Sequence, residues 1–168
     1  KHGQPLRQMA SDVKSGDSEN HEARAAKAYW SQLFLAEFRR ERDGIWPNAA
    51  LNYGYAVLRA ATARAIVAAG LLPTLGIHHS NKYNAYCLAD DLMEPYRPYI
   101  DLEVVELMQL GYEELNKECK TRLLGVVLAD VKQGTKQGPM MAALHRTAQS
   151  LVKCYEQEGR KLTYPVLQ

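Results

Sequence analysis

The sequence predicts an all-α fold, an irregular multi-helix bundle, on three observations. Apolar residues recur at spacings of three and four in most segments of the 168-residue chain. Glycine, proline and charge clusters fall between those segments, as at Gly70, Pro95 and Gly134 to Pro139. The segments differ in length and share no repeat, which argues against a simple coiled coil.

Taken in order, residues 5–13 read as a short helix closed by Ser15-Gly16-Asp17. Ser18 or Asn20 can cap a longer helix reaching about residue 37, with Glu19 and Glu22 near its start favourable to the helix dipole. Its expected apolar face is Ala25, Ala26, Tyr29, Leu33 and Phe34. Arg39 to Gly44 is a charged loop. Trp46-Pro47-Asn48 then opens the longest helical pattern, to about residue 69, with Leu51, Tyr55, Leu58, Thr62 and Ile66 inward and Gly70 at its end. Later helices are expected over residues 101–110, 113–128 and 140–158. In the second of these, residues 124–128 read equally as a strand or a helix end. The third starts after a turn ending in Pro139, with Met141, Leu144, Ala148, Leu151 and Tyr155 inward.

Composition excludes several classes. At 46% hydrophobic and 24% charged residues the chain is neither disordered nor membrane-embedded. The apolar run from Ala60 to Leu72 is interrupted by Arg64 and Gly70 and is too short to span a bilayer. One domain of 1–168 is expected from the length. The start, KHGQPLRQ, is polar and lacks methionine, so the chain is expected to be a fragment without a signal peptide. Cys87, Cys119 and Cys154 match no zinc spacing and point to reduced thiols in a cytoplasm. A net charge of +2 leaves any nucleic-acid surface to local clustering.

One stretch concentrates chemistry: GIHHSNKYNAYCLADDLMEPYRPYID, residues 76–101. Its first part is loop-like around His78, His79, Asn81 and Lys82, followed by a helical stripe of Leu88, Leu92, Met93 and Tyr96. Asp91 and Glu94, three apart, share a helix face at a Cβ separation of roughly 5–6 Å. That places both within reach of one hard cation, and repulsion without one should raise at least one pKa. Pro95 ends or kinks the helix just after Glu94.

Four motifs in this order resemble the CRISPR-associated spacer-acquisition integrases, the first CRISPR adaptation proteins. They are His-Glu-Ala-Arg-Ala-Ala (21–26), Asn-Ala-Ala-Leu-Asn-Tyr-Gly-Tyr (48–55), Leu-Gly-Ile-His-His (75–79) and Leu-Ala-Asp-Asp-Leu-Met-Glu-Pro-Tyr-Arg-Pro (88–98). The asparagine-rich loop and Glu-Pro-Tyr-Arg-Pro are most similar to the type II branch. The resemblance covers residues 19–148 and implies the C-terminal helical catalytic domain, with the family's N-terminal β-domain absent from this chain.

The resemblance implies a catalytic metal site of Glu22, His79 and Glu94 holding Mg²⁺ or Mn²⁺, with Asp91 as a supporting acid. It also implies joining of a spacer 3′-hydroxyl to repeat DNA by transesterification. Double-stranded DNA and the second CRISPR adaptation protein are the implied partners, the full-length protein being a homodimer. Two carboxylates and an imidazole suit Mg²⁺ or Mn²⁺ better than zinc, and such an ion fits phosphoryl chemistry. Lys82 and Arg97 are DNA-binding candidates, as a point charge and a fork. Of two adjacent histidines, His79 ends the Gly-x-x-His turn and is the expected ligand; His78 is not. By itself the chain is expected to join DNA weakly. Residue by residue each of these groups is also an ordinary surface charge or loop histidine. Arg39, Arg40, Arg42, Lys132 and Lys136 read as solvated charge, with DNA contact as the minority reading. The competing functions are a non-catalytic helical binding module and a metal hydrolase of small phosphoesters.

Overall fold

The computed structural model describes residues 8–9, 11–12, 20–34, 37–156 and 161–167. The chain forms two compact units, Lys1–Gly44 and Ile45–Gln168. The expected end of the first helix near Val13, the Ser15-Gly16-Asp17 break, Ser18, Glu19 and the last residues of the 140–158 helix lie outside the described residues.

In the first unit, α1 spans His21–Leu33 and starts from Asn20 in a left-handed conformation. Ala25, Tyr29, Leu33 and Phe34 are half-buried as the spacing predicts, but Ala26 is exposed. Aromatic packing dominates instead. Trp30 lies 5.7 Å from both Phe34 and Phe38, and those two rings stack at 4.5 Å. Such pairs contribute about 0.5–1.5 kcal/mol each beyond area burial.

The second unit is built around α2, Asn48–Ala68, whose inner residues Leu51, Tyr55, Leu58, Thr62 and Ile66 are all buried as predicted. The helix closes through Gly70 at positive φ, with the Leu71 N–H donating to the Ile66 carbonyl at 3.1 Å. Around α2 pack α3 (Cys87–Met93), α4 (Arg97–Gln109), α5 (Lys117–Gly125) and α6 (Met140–Glu156). Gly54 allows the closest approach: a Cβ there would collide with the Ile100 side chain on α4. Asn116 caps α5 by accepting from the Cys119 N–H at 3.0 Å. Arg122 then ties α5 to α4, its Nε donating to Glu103 at 2.6 Å and its Nη2 lying 2.8 Å from Glu106.

Pro95 acts as the sequence requires. The α3 helix stops at Met93, a 3₁₀ turn covers Glu94–Tyr96, and α4 resumes at Arg97, before the expected start at 101. The ambiguous 124–128 segment is a helix end, passing into a 3₁₀ turn at Val126–Leu128. The predicted 134–139 turn is part of a larger feature, an antiparallel hairpin of β1 (Asp130–Gln133) and β2 (Lys136–Pro139). Gly134 at φ 62 leads its two-residue loop. Residues of β1 alternate between exposed and buried, but its sequence carries one apolar side chain, Val131, too few to show a strand period. On α6 the buried face is Met140, Ala143, Leu144, Thr147, Ala148 and Leu151, with Met141 half-buried and Tyr155 64% exposed. The 161–167 segment lies along the hairpin and α6. Its Val166 N–H donates to Lys132 at 2.8 Å, and its Thr163 N–H to the Ser150 hydroxyl at 3.1 Å. No helix among the described residues is long and apolar enough to cross a membrane.

Candidate functional site

The turn from Gly76 to His79 is held from below by one carboxylate on α3. Asp91 accepts the backbone N–H groups of Ile77 (2.5 Å), His78 (3.0 Å) and His79 (3.2 Å), and its Oδ1 also meets His79 Nδ1 at 2.6 Å. Three consecutive amides converge on one anion, which fixes the turn. Glycine is required at its start. A Cβ on Gly76 would run into the His79 carbonyl oxygen and lie 2.8 Å from Cys87 Cβ and 3.0 Å from Asp91 Oδ2. Gly76 reads as a turn residue in the sequence, but this crowding around it does not show there.

Burial pushes the Asp91 carboxyl up, but the donors from His78, His79 and Ile77 outweigh it and hold the carboxyl below its ordinary range. Asp91 is therefore not the acid of a repelling pair whose pKa is raised. Its two oxygens are engaged by the turn amides and His79. An ionised Asp91 requires a proton on His79 Nδ1, so that in the neutral tautomer Nε2 carries the lone pair; the His79 side chain is 45% exposed, beside a carboxylate only 8% exposed. This is the arrangement that orients and strengthens an imidazole as a metal ligand. His78 stands edge-on to that ring at 5.5 Å.

Glu94 sits at the start of the 3₁₀ turn, its side chain 48% exposed. Arg97 donates from Nη1 to Glu94 Oε1 at 2.6 Å. The guanidinium lies 4.2 Å from the Tyr55 ring centroid, and the Tyr55 hydroxyl donates to buried Asp101. Burial first, then Asp101, push the Tyr55 phenol well up, so it remains a donor. Arg97 is thus the counter-ion of Glu94, held flat by an aromatic face. Spacing of the motif did not reveal this cross-helix role of Tyr55.

The neighbouring acid, Asp90, has a different task. Arg59 of α2 clasps it with Nε at 2.6 Å and with Nη2, while Asn84 donates to it at 2.7 Å. Asn84 and Asn81 also accept the Tyr86 and Tyr83 N–H groups two residues on, so the asparagine-rich loop is a pair of side-chain-braced turns. An arginine four residues beyond Tyr55 on an alanine-rich helix was the available signal for this clasp. Lys82, exposed on that loop, has its ammonium 4.9 Å from the Tyr83 ring.

Glu22 occupies the first turn of α1 in the first unit and is exposed. Of the expected metal ligands, the second unit holds His79 and Glu94, with Asp91 behind His79. Among the described residues, no three His, Cys, Asp or Glu side chains form a metal-ligating group. The reasons visible in the second unit are that Glu94 faces Arg97 and Asp91 faces the turn.

The site of the second unit is thus a helical one, an aspartate-oriented histidine beside an exposed glutamate paired with an arginine. The family model described as "CRISPR associated protein Cas1" matches residues 4–135, and the chain belongs to that family. It is 42% identical over 147 residues to a CRISPR-associated endonuclease Cas1 of Neisseria meningitidis serogroup C (strain 8013), covering 86% of this chain and 48% of the relative. A second Cas1 endonuclease, from Pyrobaculum aerophilum, is 35% identical over 140 residues, covering 79% and 46%. The chain spans about half the length of these curated relatives. The fold is also that of a casposase, solved bound to integration product, with a TM-score of 0.75 at 22% identity over 98% of this chain and 58% of the other.

Proposed function

We propose that this chain is the helical catalytic part of a CRISPR adaptation integrase, which nicks and joins DNA with a divalent cation. The observation that carries the reading is the Asp91–His79 pair, at 2.6 Å, which engages Nδ1 and leaves Nε2 as the other ring nitrogen of a half-exposed side chain. His79, Glu94 and Glu22 would hold Mg²⁺ or Mn²⁺, the hard and borderline cations that this mixed donor set suits. Such an ion, when bound, neutralises charge on a phosphate and lowers the pKa of the attacking oxygen.

The chain's own residues supply the rest. Asp91 fixes the ring and tautomer of His79. Arg97 balances the Glu94 charge when no cation does so. Lys82 and the outer edge of Arg97 meet the DNA backbone. In the reaction, a spacer 3′-oxygen forms a new bond to a repeat-border phosphorus as it loses its proton. The bond from that phosphorus to the departing 3′-oxygen breaks, and that oxygen takes up a proton. Double-stranded DNA is the substrate, and the second adaptation protein and another copy of the protein are the partners.

The test is strand transfer of a labelled 3′-hydroxyl end into repeat DNA by Glu22→Ala, His79→Ala and Glu94→Ala variants of a full-length protein. Each should abolish joining with folding unchanged. DNA binding without metal-dependent joining by the wild type would return the chain to a binding module. Turnover of small phosphoesters alone would make it a hydrolase.

A further inference from the structure

A second site lies on the other side of α6 from the core. A cavity of about 380 Å³ is bounded by the hairpin loop, α6 and the 161–163 segment. Four of its lining residues are cations, Lys136, Arg146, Lys153 and Lys161, and none is a carboxylate. Their convergence follows from the fold. Arg146, Gln149, Ser150 and Lys153 recur at i, i+3, i+4 and i+7, one face of α6. The hairpin loop brings Lys136 to that face, and the Thr163–Ser150 hydrogen bond brings the segment carrying Lys161.

The floor of the cavity is ordered. Arg146 donates from Nε to Gln133 Oε1 at 2.6 Å, and Gln133 in turn donates to Thr147 at 3.0 Å and to the Thr163 carbonyl at 2.9 Å. The guanidinium plane is thereby set, yet Arg146 Nη2 is buried with no hydrogen-bond partner among the described residues. A buried charged donor without an acceptor is costly, because it loses its water without replacement. Arg146 lines the cavity, so an oxyanion drawn into it would meet the guanidinium charge.

We propose that this cavity binds a phosphate group, with Arg146 as its fixed donor and Lys136, Lys153 and Lys161 as surrounding point charges. Taken with the reading of the chain as a DNA-acting protein, on which this choice of source rests, the phosphate belongs to a nucleic-acid backbone gripped away from the His79 turn. The same chemistry would accept free phosphate or pyrophosphate.

The experiment measures binding of a labelled DNA duplex against salt concentration for the wild type, Arg146→Gln and the exposed-residue double variant Lys153→Gln/Lys161→Gln, with pyrophosphate titrated in parallel. The double variant guards against misfolding of Arg146→Gln. The expected result is weaker DNA binding by both variants, by about tenfold near physiological salt, with the salt slope flattened by about 0.9 for each phosphate no longer neutralised. DNA binding with unchanged affinity and slope in both variants overturns the site and leaves the integrase reading standing. Pyrophosphate binding that both variants lose, with no DNA binding by any form, keeps the site and sinks the DNA-acting reading. Binding of neither ligand overturns the proposal outright.

Discussion

Replacing Asp91 by asparagine isolates the role of one carboxylate in building the His79 turn. Asp91 accepts four hydrogen bonds, three from backbone amides and one from His79 Nδ1, at 2.5–3.2 Å. Asparagine is nearly the same size but has one acceptor oxygen, and its NH₂ would confront donors. Two of the four bonds are lost, and the remaining two lose their charge assistance. Bonds to a charged group contribute about 1.5–3 kcal/mol each, which sets an upper bound near 6 kcal/mol for the two lost. The amides of residues 77–79 lie in an exposed loop where water can replace the carboxylate, so the stability cost should be much smaller, about 1–3 kcal/mol. The cost to His79 should exceed that in relative terms. Without Asp91 the ring loses its orientation and its Nδ1–H tautomer is no longer enforced, and removal of such partners lowers metal affinity by about 10–100-fold. Urea unfolding gives the first quantity. Mn²⁺ calorimetry, with ¹⁵N shifts of the His79 ring for the tautomer, gives the second. Mn²⁺ affinity within twofold of wild type, with unchanged ring shifts, would show that Asp91 does not set the histidine.

Gly76→Ala should destabilise by about 1–3 kcal/mol through overpacking against the His79 carbonyl, and should displace His79 as well; urea unfolding and Mn²⁺ binding read the two effects. Asp91 is held low in the fold, so its contribution is present above the unfolded carboxylate pKa of about 4 and is lost as pH falls through the lower folded value. Asp91→Asn should therefore flatten the acid limb of stability against pH. At the alkaline end burial pushes the Tyr96 phenol up to about 12, so stability present below pH 10 is lost as pH rises toward 12. Tyr96→Phe should remove its share of that limb, Tyr55 keeping its own, with loss of the 2.7 Å hydroxyl contact with Thr147. His78→Ala should leave strand transfer close to wild type while His79→Ala removes it. The reverse pattern would put the register of the turn wrong by one.

Much of this architecture was legible because long amphipathic helices write their burial directly into spacing. Leu51, Leu58, Thr62 and Ile66 on α2, and Leu88, Leu92 and Tyr96 from α3 into the turn after it, lie where a 3.6-residue period puts them. Pro95 marked the break before α4 because its ring cannot continue a helix. The hairpin was not legible: β1 is exposed on alternate residues and β2 is polar, so only a turn showed. Within the site, motif order located His79, Asp91 and Glu94, but not how their charges are divided. Adjacent acids on one helix look alike in sequence, whereas Asp90 faces Arg59, Asp91 faces the turn and Glu94 faces Arg97. Those partners come from residues distant in the chain, from the next helical turn or from backbone amides, and no spacing says which acid takes which. The cation face of α6 is likewise visible only once the hairpin and the 161–167 segment are seen beside it.

Whether His79, Glu94 and Glu22 hold a divalent cation can be decided by anomalous diffraction at the manganese edge, from crystals of the protein grown with Mn²⁺. A peak bonded to His79 Nε2 and to the carboxylates of Glu94 and Glu22 is expected, with Asp91 still hydrogen-bonded to Nδ1. A peak on His78, a peak on Asp91 in place of His79, or no peak at saturating Mn²⁺ would rule that ligand set out.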